Sequence, residues 1–111
     1  MLHIAVIRAE NLFGVSNSHV ICYQGNKQGQ TQPARGQSPQ YMNSQISFEV
    51  DDDQTPLVVM VFDIDRGLAV FKTQVTFDDL KDGLVPENED IWLSERENDP
   101  GAPRLRVKLS Y

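Results

Sequence analysis

Cysteine occurs once, at Cys22, and histidine twice, at His3 and His19. One cysteine excludes an internal disulfide framework and any cysteine-cluster zinc site. Two histidines, with no serine or cysteine and acid at a recognisable motif spacing, leave nucleophilic catalysis without support. Positive charge is also scarce: Lys and Arg number 10 against 16 Asp and Glu, giving a net charge of −6 and a pI near 4.7. That balance disfavours nucleic acid, where attraction to phosphate dominates affinity. No apolar run approaches the ~18–20 residues of a membrane helix. The opening MLHIAVIRAENLFG carries Arg8 and Glu10 and lacks a basic segment followed by an unbroken apolar one. It reads as a strand rather than a signal peptide, and the expected compartment is the cytoplasm.

What is present is period-two patterning. Leu2, Ile4 and Val6 alternate with His3, Ala5 and Ile7; Val20 and Cys22 alternate within 18–23; Ile46, Phe48 and Val50 within 45–50; Leu105, Val107 and Leu109 within 104–110. Each predicts a strand with one core face. The continuous run LVVMVF (57–62) predicts a strand covered on both faces or central in a sheet. Val75 and Phe77 continue the pattern, and Ile91 and Leu93 flank Trp92. Turn chemistry separates the runs at Gly14–Ser18, Gly25-Asn26, Gly36–Pro39, Asp51–Pro56, Arg66-Gly67 and Asp99–Gly101. FDDLKDG (77–83) predicts the one helical turn, acidic at its start and closed by Gly83. Eight short strands in 111 residues predict a single all-β domain over residues 1–111, an antiparallel Greek-key sandwich.

The residues, taken in order, resemble the C2 domain family. LHIAVIRAENL (2–12) is similar to its opening L-x-V-x-V-x-x-A-x-x-L, and GVSNSHV (14–20) to G-x-S-D-P-Y-V. SPQYMNSQISFEV (38–50) resembles N-P-x-W-N-E-x-F-x-F-x-V with one residue inserted. LVVMVFDIDR (57–66) resembles L-x-x-x-V-x-D-x-D-R, and IWL (91–93) the late W-Y-x-L. The resemblance covers the whole chain. The family's G-x-L-x-L-x-L-x-Y strand stands last, as GAPRLRVKLSY (101–111), which implies the permuted, type II topology.

The resemblance also implies where calcium would bind. Calcium takes about six to eight oxygen ligands, and the family's calcium-binding members place about five aspartates on two loops. Asp63 and Asp65 stand at two of those positions; Asn17 replaces a third; Gly67–Phe71 supply none. No cofactor is therefore expected. Asp63, Asp65 and Asn17 are the residual set if calcium binds, and otherwise Asp63 and Asp65 cap loop backbone. Asp51–Asp53 is read as a solvated turn at the opposite pole.

Two surfaces are candidates for partners. Arg104, Arg106 and Lys108 share one face of the last strand because their spacing is two. The resemblance sets that strand beside the one running from Lys27 to Arg35, so these five residues are expected to form a basic face, with Arg8 not far away. Against it, residues 76–99 hold nine acidic side chains and only Lys81 and Arg96 as bases. The second surface is a set of apolar loop tips, Leu12 and Phe13 in the first loop and Leu68, Val70 and Phe71 in the last. Leu12 and Phe71 have the alternative of turning inward to complete the core. The expected function is a non-enzymatic, calcium-independent C2 interaction module. It makes protein contacts, to a partner or a second copy, within a larger cytosolic or cytoskeletal protein. The alternative is a phospholipid-binding, membrane-targeting C2 domain.

Overall fold

The computed structural model describes residues 1–96 and 98–111; Glu97, one of the nine acidic side chains above, lies outside them. Among the described residues there are nine strands and one helix: β1 (Leu2–Glu10), β2 (Asn17–Gln24), β3 (Lys27–Gln30), β4 (Ala34–Arg35), β5 (Gln40–Phe48), β6 (Leu57–Asp63), β7 (Leu68–Val75), α1 (Phe77–Lys81), β8 (Asp90–Leu93) and β9 (Arg104–Ser110). They form two antiparallel sheets, ordered β5-β1-β9-β8 and β3-β2-β6-β7, with two-residue β4 paired to β2. This is the all-β sandwich that the patterning predicts; β4 is the addition to the expected count.

Alternation explains the core. Leu2, Ile4 and Val6 from β1 meet Leu105, Val107 and Leu109 from β9, all fully buried, and the second sheet supplies Val20, Cys22, Leu57, Val59 and Val61. The run 57–62 is indeed central, since β6 lies between β2 and β7. Its outward residues Met60 and Phe62 are only half-buried. They stand opposite Ile21 and His19 of β2. Burial of the Cys22 thiol pushes its pKa up to about 12, as suits a small core hydrophobe. The hydroxyls of Ser18 and Tyr41 satisfy each other at 2.7 Å inside the core.

Helix α1 begins where Thr76 Oγ1 accepts from the Asp79 amide at 3.2 Å. Asp78 and Asp79 in its first turn suit the positive end of the helix dipole.

Strand β1 is bulged at Ile7. Val6 pairs with Val107, whereas Arg8 pairs with Arg106, so two residues of β1 oppose one step of β9. The phase of burial shifts accordingly: Leu2, Ile4 and Val6 face inward before the bulge and Ala9 after it. On the other side, β5 absorbs the irregularity with Met42 and Asn43 at φ 62° and 57°. The inserted residue of the 38–50 motif falls in this stretch.

The sandwich closes tightly where β3 approaches β5. A Cβ at Gly29 would lie 2.7 Å from Cγ2 of buried Ile46. Gly29→Ala is therefore expected to lower stability by about 1–3 kcal/mol. Urea unfolding of a double-mutant cycle with Ile46→Ala checks the cause: the two losses should be less than additive.

Candidate functional site

The outer face of the β5-β1-β9-β8 sheet gathers most of the unusual chemistry. Arg104, Arg106 and Lys108 project from β9, as their spacing predicts. Their neighbours, however, are β1 and β8. Lys27 and Arg35 belong to strands paired in the other sheet, so the expected five-residue basic face is corrected. Lys27 turns to the opposite pole, 2.8 Å from Asp51 and bonded to the Glu49 carbonyl, while Arg35 is exposed on β4. Arg8 takes their place, because the bulge at Ile7 puts it in register with Arg106, and Arg106 with Trp92.

Three guanidinium groups surround the Trp92 ring. Their central carbons lie 4.0 Å (Arg104), 5.1 Å (Arg106) and 5.2 Å (Arg8) from its centroid. Such cations are attracted by the electron-rich ring face. Two carboxylates keep them in place. Glu10 accepts from Arg104 Nε at 3.0 Å and Nη2 at 2.6 Å, and it pairs with Arg8 at 3.0 Å. Asp90 lies 3.8 Å from Arg106 and 3.7 Å from Lys108. The stripe thus sets four cations against two carboxylates. The hydrogen bond from Arg104, reinforced by the charges of its neighbours, holds the Glu10 pKa below its usual value of 4.5. Trp92 also lines two open hollows. One, of about 350 Å³, includes Leu84, Val85, Pro86 and Ile91; the other, of about 330 Å³, includes Arg96, Asp99 and Arg104.

The loop pole is built differently. Asp63 is 1% exposed, and its Oδ1 accepts from the amides of Asp65 and Arg66 at 3.1 and 3.2 Å. Its Oδ2 lies 3.5 Å from Arg66 Nε, and Arg66 Nη2 donates to the Gly14 carbonyl at 3.1 Å. One guanidinium therefore links the first and last loops. The Asn17 carbonyl accepts from the Ile64 amide, and Asp65 is exposed. Among the described residues no three His, Cys, Asp or Glu side chains converge as a metal cluster.

The apolar tips need correction. Leu12 is 0% exposed and Phe71 4%, both in the core. Val70 is half-buried and packs against the core. Only Phe13 and Leu68 stand out, at 66% and 50% exposed. At the other pole, Asp51 pairs with Lys27, Asp53 with Lys81, and Asp52 receives the Gln54 amide and the Thr55 hydroxyl. His3 Nδ1 meets the Ser47 hydroxyl at 2.8 Å, and His19 rests near Phe62 with its pKa lowered by burial. No helix among the described residues is long and apolar enough to cross a membrane.

The family model described as C2 domain matches residues 1–94. The chain belongs to the C2 domain family. No curated protein matches it. Among solved structures, the first two C2 domains of extended-synaptotagmin 2, calcium bound, are similar with a TM-score of 0.77 at 18% identity, covering 98% of this chain and 44% of that one. A C2 domain-containing protein from a candidate elicitor-responsive gene gives 0.77 at 17% identity, covering 99% and 86%. Human GIVD cytosolic phospholipase A2 gives 0.72 at 16% identity, covering 97% and 14%. These likenesses show a shared fold. This C2 domain spans less than half of the extended-synaptotagmin 2 chains it matches.

Calcium, which the family's binding members take at this loop pole, does not fit the donors present. Both oxygens of Asp63 are engaged by backbone amides or Arg66, which leaves Asp65 as an exposed carboxylate and Asn17 as a neutral group. A cation entering there would have to displace bonds that hold the loop.

In this C2 domain the Glu10 network makes a pH-dependent contribution. Its folded pKa is depressed, so the contribution is complete above the unfolded value near 4.5 and disappears as pH falls through the lower folded value. Thermal melts of wild type and Glu10→Gln should differ at neutral pH and converge in acid. The difference should be at most about 1 kcal/mol, because the pair is partly exposed.

Proposed function

We propose that residues 1–111 form one non-catalytic C2 interaction module that works without calcium and makes protein contacts inside a larger cytosolic protein. C2 domains are as a rule non-catalytic. The observation that carries the reading is the convergence of Arg8, Arg104 and Arg106 on Trp92. Arginine and tryptophan are among the side chains most enriched at the energetic centres of protein interfaces. These arginines are also held in place before any partner arrives, which reduces the ordering cost of binding. Calcium independence is supported by the commitment of Asp63 to its own loop.

A phospholipid surface is the second reading. Exposed Phe13, in the first loop, and exposed Leu68, at the start of β7, lie near the Arg66–Gly14 link and offer apolar side chains to a bilayer. The net charge of −6 opposes approach to an anionic membrane, and nucleic acid is disfavoured for the same reason.

Two measurements separate these readings. Calorimetric titration with calcium should give no saturable heat in the micromolar range. Co-sedimentation with phosphatidylcholine–phosphatidylserine vesicles should leave the domain in the supernatant with or without calcium. Calcium-dependent pelleting that Asp63→Ala abolishes would overturn the proposal. Pelleting that Phe13→Ser and Leu68→Ser abolish would transfer the function to the lipid reading.

A further inference from the structure

The molecule offers three places beyond the loops. The outer face of the β3-β2-β6-β7 sheet exposes part of Ile21, Met60 and Phe62, with nothing to specify what covers them. A small hollow lies between Phe71 and Pro103. The third is Trp92 itself, and it has chemistry on both sides.

Trp92, on edge strand β8, lines both hollows. In one, Leu84, Val85 and Ile91 stand beside the polar Thr73, Gln74 and Asp79, and Leu84 is 75% exposed although large and apolar. The other contains the side chains of Arg96 and Arg104; the Asp99 carboxylate in its wall is turned to the Gly101 amide at 3.0 Å. Beyond that hollow the cationic stripe continues through Arg106 and Lys108, with two more cations than carboxylates. The exposed Leu84 of one hollow and the cations of the other, joined by Trp92, fit neighbouring parts of one chain.

We propose that the surface around Trp92 is the docking site for an extended acidic protein segment that seats an apolar side chain beside Leu84 and carboxylates against Arg96, Arg104 and Arg106. This rests on the reading of the domain as a protein-interaction module and specifies the partner's chemistry. Charge complementarity decides for acid: a chain of net charge −6 has collected four of its ten cations in the stripe on this one face. An extended backbone suits the site because its successive side chains alternate in direction and can reach both hollows. Arginine binds carboxylates as a fork; the Nε–Nη2 fork of Arg104 is taken by Glu10, which leaves its remaining amino group, with Arg96 and Arg106, for an incoming carboxylate.

Trp92 is the molecule's single tryptophan, so its emission reports binding at the site itself. The probe is a blocked Glu-Glu-Leu-Glu-Glu peptide, with Lys-Lys-Leu-Lys-Lys as control. The acidic peptide should shift Trp92 emission saturably, and added salt should weaken it. Arg96→Glu should weaken binding about tenfold, and Leu84→Ser several-fold, with unfolding midpoints near that of the wild type. Equal shifts from the lysine peptide, or an unchanged affinity in both variants, would overturn the proposal. Silence with both the acidic peptide and phosphatidylserine vesicles removes this occupant while the module reading stands. A shift with vesicles but not with the peptide overturns both the occupant and the protein-contact reading.

Discussion

The bulge at Ile7 sets the character of this molecule's surface. A strand alternates faces with period two, so an unbroken β1 would aim Arg8 and Glu10 into the core beside Leu2, Ile4 and Val6. Burying two charged groups there would cost several kcal/mol each in desolvation. One extra residue against β9 reverses the phase. Ala9 then enters the core, and Arg8 and Glu10 come out beside Arg104 and Arg106. The left-handed pair Met42 and Asn43 is the local accommodation on β5, the other neighbour of β1. The cation–aromatic cluster exists because a backbone irregularity in one strand puts Arg8 in line with Trp92 two strands away.

Much of the fold is legible directly from alternation. The strand at 104–110 has one pattern and one place to put it, the unbroken apolar run 57–62 marks a covered or central strand, and the outward triad Arg104, Arg106 and Lys108 follows from spacing alone. Their neighbours do not follow. Which strand lies beside β9 is decided by pairing across most of the chain, and local pattern contains no record of it; the resemblance sets Lys27 and Arg35 beside the last strand, and both are found in the other sheet. The bulge does leave a trace. Leu2, Ile4 and Val6 occupy even positions, whereas Ala9 is odd, so the apolar phase shifts between them. Trp92 is recognisable between Ile91 and Leu93 in a short strand pattern. Its three arginine neighbours come from β1 and β9 and emerge only with the register.

The charge distribution follows the same logic. A net of −6 describes the whole chain but no single region of it. At the pole holding Asp51–Asp53, Lys27 and Lys81 are drawn to the acidic turn, which removes them from any basic face. The cations that remain near β9 are concentrated by register. Salt screens separated surface charges over about 8 Å at physiological ionic strength. A partner that touches the stripe therefore responds to its local excess of positive charge more than to the acidity of residues at the far pole.

Asp63 is tied to the loop it opens. A carboxylate has about four lone-pair sites, and in this loop two of its bonds go to successive amides and another contact to Arg66. Those partners satisfy a buried charge that would otherwise be unpaired, and they fix the β6–β7 turn against the Gly14 carbonyl. The aspartate at 63 is thus sufficiently explained by the backbone it holds.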